Sequence, residues 1–124
     1  MPRKTRKERR RDAQRQFIVA YLSLNLSADA CNADFNDRFA HAFPRAGRPL
    51  RQRSKLWGSM PCPAALALLR EMYRQGALLR RRVSLIEHGH GFPNWVNSYS
   101  LPAEDRMTRK RAERILKSLP QPPR

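Results

Sequence analysis

The chain has 124 residues, with 26 Lys and Arg against 10 Asp and Glu, a net charge of +16 and a hydrophobic fraction of 40%. That length holds one small core with tails and excludes a second domain; two cysteines, Cys31 and Cys62, exclude a disulfide framework and a four-thiolate zinc site. No apolar run reaches the length of a membrane span, and the Arg-rich start lacks the apolar core of a secretory signal, so the composition points to a soluble protein of a reducing compartment, cytoplasmic and, in a bacterium, at the nucleoid.

The charge is unevenly placed. Residues 1–15 hold eight basic and two acidic groups, residues 44–60 five and none, residues 61–102 five and two, and residues 103–124 seven and three. Only residues 16–43 are net acidic, with Asp29, Asp34 and Asp37 against Arg38. Self-repulsion of this size opposes compaction unless a polyanion neutralises it, which makes nucleic acid the first partner to consider.

Residues 1–11 contain no apolar side chain after Pro2 that could anchor to a core. They read as a disordered basic arm, with Arg9, Arg10 and Arg11 following phosphates, that folds as an extension of the next helix when it does. Phe17, Ile18, Tyr21 and Leu22 recur at helical spacing and predict a first helix over residues 12–24. Ser27, Asp29 and Asn32 supply cap and turn chemistry, and Phe35, Phe39 and Phe43 stack one face of a second helix that Pro44 ends. A stripe in register with a short helix is what packing requires, so these rings are assigned to the core.

Residues 44–60 mix helix breakers with cations and read either as an inserted basic loop or as a loop hiding a short helix around residues 50–57. The third helix is predicted to begin near Pro61 or Pro63, where a missing amide costs nothing, and to end at Gly76 in the left-handed conformation. Ala65, Leu68, Leu69 and Met72 form its core stripe, leaving Arg70, Glu71, Arg74 and Gln75 nearer the surface. A strand follows in which Val83 and Leu85 alternate with Arg82 and Ser84, as in a strand with one buried face. In the second strand Trp95, Asn97, Tyr99 and Leu101 share one face and Val96, Ser98 and Ser100 the other. The connection over residues 86–94, with Gly89, Gly91 and Pro93, is long enough to project.

After Pro102 a last helix is predicted within residues 103–119, with Glu104 and Asp105 near its positive end. Met107, Ala112, Ile115, Leu116 and Leu119 lie on one side, and Arg106, Arg109, Lys110, Arg114 and Lys117 on the other. Such a helix can pack on the domain, pair with a copy of itself to make a homodimer, or lie along a nucleic-acid backbone. Residues 120–124 are tail.

The run that includes Ala65, Leu68, Leu69, Met72, Tyr73, Gly76, Leu79 and Arg80, closed by Tyr99, Ser100 and Leu101, resembles the helix, glycine and wing strand of the winged helix-turn-helix superfamily. The resemblance covers about residues 12–102. It implies an α+β, mostly helical fold with a two-stranded wing, to which this chain adds a basic arm and a C-terminal helix. It further implies that the third helix enters the major groove and that the wing touches phosphates or the minor groove. This chain departs from the pattern at the start of the third helix, where Ser59, Met60, Pro61, Cys62, Pro63 and Ala64 are poor in side chains that read base edges. Contacts are then expected from Arg48, Arg51, Arg53 and Lys55 before the helix, Arg70 and Arg74 on it, Arg80 and Arg82 on the strand, and His88, His90 and Asn94 in the wing.

These features predict a double-stranded DNA-binding protein, a small transcriptional or replication regulator of a bacterium, plasmid or phage. The competing expectations are an RNA-binding or ribonucleoprotein component, and a basic interaction module, such as a viral inhibitor, that binds an acidic protein. His88 and His90 could join His41, Cys31 or Cys62 around a metal, but no spaced ligand set is present, and the two histidines are assigned to the wing tip. Trp57 and Trp95 either stack on bases or serve as loop anchor and core lid respectively. No paired carboxylates, phosphate loop or nucleophile elbow occurs, so neither enzymatic activity nor a cofactor is expected.

Overall fold

A computed structural model of the chain describes residues 3–44, 62–88 and 93–123. Among them are four helices, α1 (Arg6–Leu24), α2 (Ala33–Ala42), α3 (Pro63–Arg74) and α4 (Arg109–Lys117), and an antiparallel pair of strands, β1 (Leu79–Ser84) and β2 (Trp95–Ser100). The architecture is α+β and mostly helical. The choice between loop and helix for residues 45–60 lies outside the described residues.

Helix α1 starts at Arg6, so residues 6–11 are helical where a disordered arm was expected. The local cause is a cap: the Thr5 hydroxyl oxygen accepts from the Glu8 amide at 3.1 Å, and Glu8 places an anion in the first turn. Lys4 folds back onto Asp12 at 2.6 Å, and Arg11 reaches Glu71 of α3 at 2.8 Å. The far end is closed by the Asn25 amide, which donates to the Tyr21 carbonyl at 2.9 Å.

The predicted aromatic stripe of α2 is in the core. Phe17 meets the edges of Phe39 and Phe43 at centroid distances of 5.6 and 5.9 Å, and Tyr21 meets Phe35 at 5.1 Å. These edge-to-face contacts join α1 to α2 with the geometry that aromatic quadrupoles favour. The Tyr21 hydroxyl keeps a partner by donating to the Asp34 carboxylate at 2.9 Å, and burial together with that carboxylate pushes the phenol well above its ordinary range.

One buried amide connects α2 to α3. Asn36 Nδ2 donates to the carbonyls of Asn32 at 2.7 Å and of Asp29 and Ala30 at 3.3 Å each, while its Oδ1 accepts from the Cys62 amide at 3.0 Å. Pro63, the second of the two candidate starts, occupies the first turn of α3 directly after Cys62. At the other end Gly76 adopts φ +81°, the Ala77 amide donates to the Met72 carbonyl at 2.9 Å and the Gly76 amide to Tyr73 at 3.0 Å. This is the Schellman arrangement that the glycine foretold, and it turns the chain straight into β1.

The hairpin pairs Leu79 with Ser100 at one end and Ser84 with Trp95 at the other. On the opposite edge of β2, Ala28 exchanges two backbone hydrogen bonds with Tyr99, at 3.0 and 2.9 Å. The loop between α1 and α2 thus supplies a third, one-residue neighbour to β2, and among the described residues β1 is the free edge. Arg80 and Arg82 share a face with Tyr99, Asn97 and Trp95, and Arg81 falls on the other. The buried face expected of the first strand is found only in part, since Val83 is half-buried, the rest of β1 is exposed and Leu85 just beyond it is buried apart from the main core; in β2, Val96, Ser98 and Tyr99 are buried.

Helix α4 begins later than expected because Thr108, rather than the acidic pair before it, provides the cap: its hydroxyl accepts from the Arg111 amide at 3.3 Å, and residues 103–105 form a separate 3-10 turn. The Met107 amide donates to the Ser23 hydroxyl at 3.0 Å, and Ala112 and Leu116 are buried where α4 packs on α1. Met107, Ile115 and Leu119 pack half-buried against the same core. The apolar side of this helix packs on the domain, the first of its three predicted uses.

Replacing Asn36 with Leu removes the side-chain donor shared by the carbonyls of Asp29, Ala30 and Asn32 and the acceptor of the Cys62 amide, and is expected to destabilise the fold by about 2–4 kcal/mol in urea unfolding. Tyr99→Phe should act in the opposite direction: its hydroxyl is buried with no partner among the described residues, so removing it raises stability by about 1 kcal/mol. A loss of stability in Tyr99→Phe would show that the hydroxyl is satisfied in solution.

Candidate nucleic-acid interface

The buried stripe of α3 determines what the helix leaves outside. Opposite Ala65, Leu68, Leu69 and Met72, the positions that recur on the solvent side are Pro63, Ala67, Arg70 and Arg74, all exposed. Arg70 and Arg74 form no ion pair among the described residues. Pro63 and Ala67 are small, so the N-terminal half of this ridge allows close approach of a ligand while the C-terminal half carries charge.

Two residues on the flanks of the ridge join α3 to its neighbours. On one flank, Glu71 accepts from Arg11 at 2.8 Å and from Arg15 at 3.3 Å, with Gln75 Nε2 at 3.3 Å. On the other, the Tyr73 ring lies under the Arg80 guanidinium at 4.1 Å and meets Tyr99 at 6.4 Å. One strand step further along the hairpin face, the Arg82 guanidinium sits 3.9 Å over the Trp95 ring. The ridge of α3 is therefore bordered by the basic N-terminal turns of α1 on one side and by two ring-mounted guanidinium groups on the other.

Stacking matters for what Arg80 and Arg82 can do. A guanidinium held over a ring has already lost part of its rotamer entropy, so less is lost when it binds an anion. Arg11 stands differently: its charge is partnered by Glu71. Arg9 and Arg10, immediately before it, are exposed and make no ion pair among the described residues. At the base of this region the side-chain hydrogen bond from Lys4 holds the Asp12 carboxyl below its ordinary range and raises the lysine.

Of the remaining sequence-predicted residues, Asn94 is exposed and its carbonyl accepts from the Leu85 amide at 2.8 Å, closing the end of the hairpin ladder. His88 ends a 3-10 turn over Ile86–His88. Arg48, Arg51, Arg53, Lys55 and His90, and with them Trp57, lie outside the described residues. Trp95 is not a core lid: its ring is 45% exposed at the far end of β2. Sequence reasoning missed the parts played by Glu71, Tyr73 and Arg15. Tyr73 flanks the apolar stripe and was findable on a helical wheel; the Glu71 pairings span 56 and 60 residues and leave no local signal.

Among the described residues no group of three or more His, Cys, Asp or Glu gathers around a point. His41 Nδ1 is committed to the Asp37 carbonyl at 2.8 Å, and burial pushes both the Cys31 and the Cys62 thiols up, which keeps them protonated. No helix among the described residues is long and apolar enough to cross a membrane.

Comparison of the chain with protein-family models, with curated proteins and with solved structures found no match. The reading of the surface consequently rests on its own chemistry.

Glu71 acts as an internal anion on that surface, which makes it the informative substitution. Glu71→Gln releases Arg11 and Arg15 and is expected to move elution from immobilised heparin to higher salt while changing stability by no more than about 1 kcal/mol, since the pair is partly solvated. Unchanged elution would mean that the α1 flank does not meet a polyanion.

Proposed function

We propose that the protein binds double-stranded DNA as a winged helix-turn-helix module, and that it is a small transcriptional or replication regulator of a bacterium, plasmid or phage. The observation that carries this reading is the α3 ridge, with Arg70 and Arg74 free and the ring-mounted Arg80 and Arg82 beside it. The chain order supports it too: helix, one bridging residue, two helices and a hairpin whose second strand lies between the bridge and the first strand.

In this mechanism α3 lies over the major groove, the hairpin grips the flanking backbone, and residues 6–10 of α1 extend along phosphates. Guanidinium groups that present paired in-plane donors suit phosphate oxygens. The small residues at the start of α3 supply few base-edge hydrogen bonds, so sequence preference would come mainly from register on the backbone and from groove shape. Occupying a promoter or an origin requires no further chemistry from the protein.

The test is competition among duplex DNA, single-stranded DNA and structured RNA across a salt series. Duplex DNA is expected to win at physiological salt, and each of Arg70→Ala, Arg74→Ala and Arg80→Ala is expected to reduce the log-log salt slope by about 0.9, the contribution of one neutralised phosphate. Preference for RNA, or a stoichiometric complex with an acidic protein that survives nuclease, would replace this reading with one of its competitors.

A further inference from the structure

The far end of the hairpin carries an exposed aromatic whose part in duplex binding ends with the support of Arg82. Trp95 pairs with Ser84 at the last rung of the β1–β2 ladder and is 45% exposed, and Ile86, in the turn that follows β1, is 71% exposed. The Leu85–Asn94 hydrogen bond at 2.8 Å holds this end together. The Arg82 guanidinium, 3.9 Å from the ring centroid, fixes the indole from one side. Tyr73 differs, because Arg80 covers it and Tyr99 meets it, leaving the ring half-buried. Trp95 is thus the one ring on this face that is both oriented and open among the described residues.

Resting on the DNA-binding reading, we infer that Trp95, backed by Arg82, is a stacking site for an unpaired nucleobase, and that the preferred ligand is duplex DNA adjoining a single-stranded or frayed segment. A base inside a continuous duplex is stacked on both faces and offers an indole only its edges. An unpaired base offers a full π-face, and stacking on one aromatic contributes about 1–3 kcal/mol, a factor of roughly 5 to 150 in affinity. The free donors of Arg82 then reach the phosphate of the same nucleotide, so the pair recognises a nucleotide as base plus charge.

The stacking ring lies at the end of the hairpin away from α3. Trp95 is level with Ser84, four residues along β1 from Arg80, the residue anchored to α3. At about 3.3 Å per strand residue this is roughly 13 Å along the strand from the residue anchored to α3.

The experiment uses the full-length protein and three probes at matched salt: a continuous duplex, the same duplex with one unpaired end, and the single strand. Labelled-DNA anisotropy with the unmodified chain reads the preference, and fluorescence in a Trp57→Phe background, which leaves Trp95 as the sole tryptophan, reads the contact. The forked duplex is expected to bind more tightly than the continuous one and to quench Trp95, which the continuous duplex does not. Trp95→Ala should remove a fork preference of roughly 5- to 150-fold, read as the ratio of forked to continuous-duplex affinity, and Trp95→Phe, which keeps a ring under Arg82, should keep part of it. Equal affinity for forked and continuous duplex, or a fork preference that survives Trp95→Ala, overturns the stacking site and leaves duplex binding standing. Failure to bind any of the three probes overturns the DNA-binding reading itself.

Discussion

The placement of α3, and with it the whole candidate surface, depends on the side-chain amide of Asn36. The amide has two hydrogens for three carbonyls, so the 2.7 Å bond to Asn32 takes one and the two 3.3 Å contacts, to Asp29 and Ala30, share the other. Its oxygen accepts the Cys62 amide, the last backbone group before Pro63 opens α3. One side chain therefore sets the loop that carries Ala28 to β2 and the point at which the third helix begins. No apolar side chain of similar size can do this, and a carboxylate would lose the donors.

Around that point the molecule is organised on α1. Phe17 and Tyr21 receive the aromatic rings of α2, Arg11 and Arg15 meet Glu71 of α3, and the C-terminal part around Ser23 receives the segment leading into α4. The first of these contacts is apolar, the second ionic and the third built on small residues and a hydroxyl. A chain of net charge +16 folds because its few acids are placed where cations crowd: Glu71 between two arginines, and Asp12 between Lys4 and Arg15.

Much of the fold was legible because the signals were local. Phenylalanines four apart, a proline at a helix start, a glycine at its end and two strands divided by a Gly-containing connection each encode their own conformation. The start of α4 was misread because Glu104 and Asp105 give a helix-entry signal that competes with Thr108, and hydroxyl capping prevailed over charge. Trp95 was misjudged for a different reason: alternation assigns a residue to a face but not to a depth, and a ladder can outrun the core beneath it. The candidate surface was legible only as a set of cations. Which of them are free, which rest on rings and which are already neutralised follows from strand register and from contacts between residues far apart in sequence.

The first turns of α1 have a consequence for the energetics of any complex. Arg6, Lys7, Arg9 and Arg10 stand three and four residues apart on an exposed helix, so like charges are neighbours, and two of them sit at the positive end of the helix dipole. Thr5 and Glu8 offset only part of that repulsion. Helicity in this segment is therefore coupled to ionic strength, and a polyanion laid along it removes the repulsion as it binds. Heat released on mixing the two would include relief of that repulsion within the helix, and the apparent affinity would report it as well as contact.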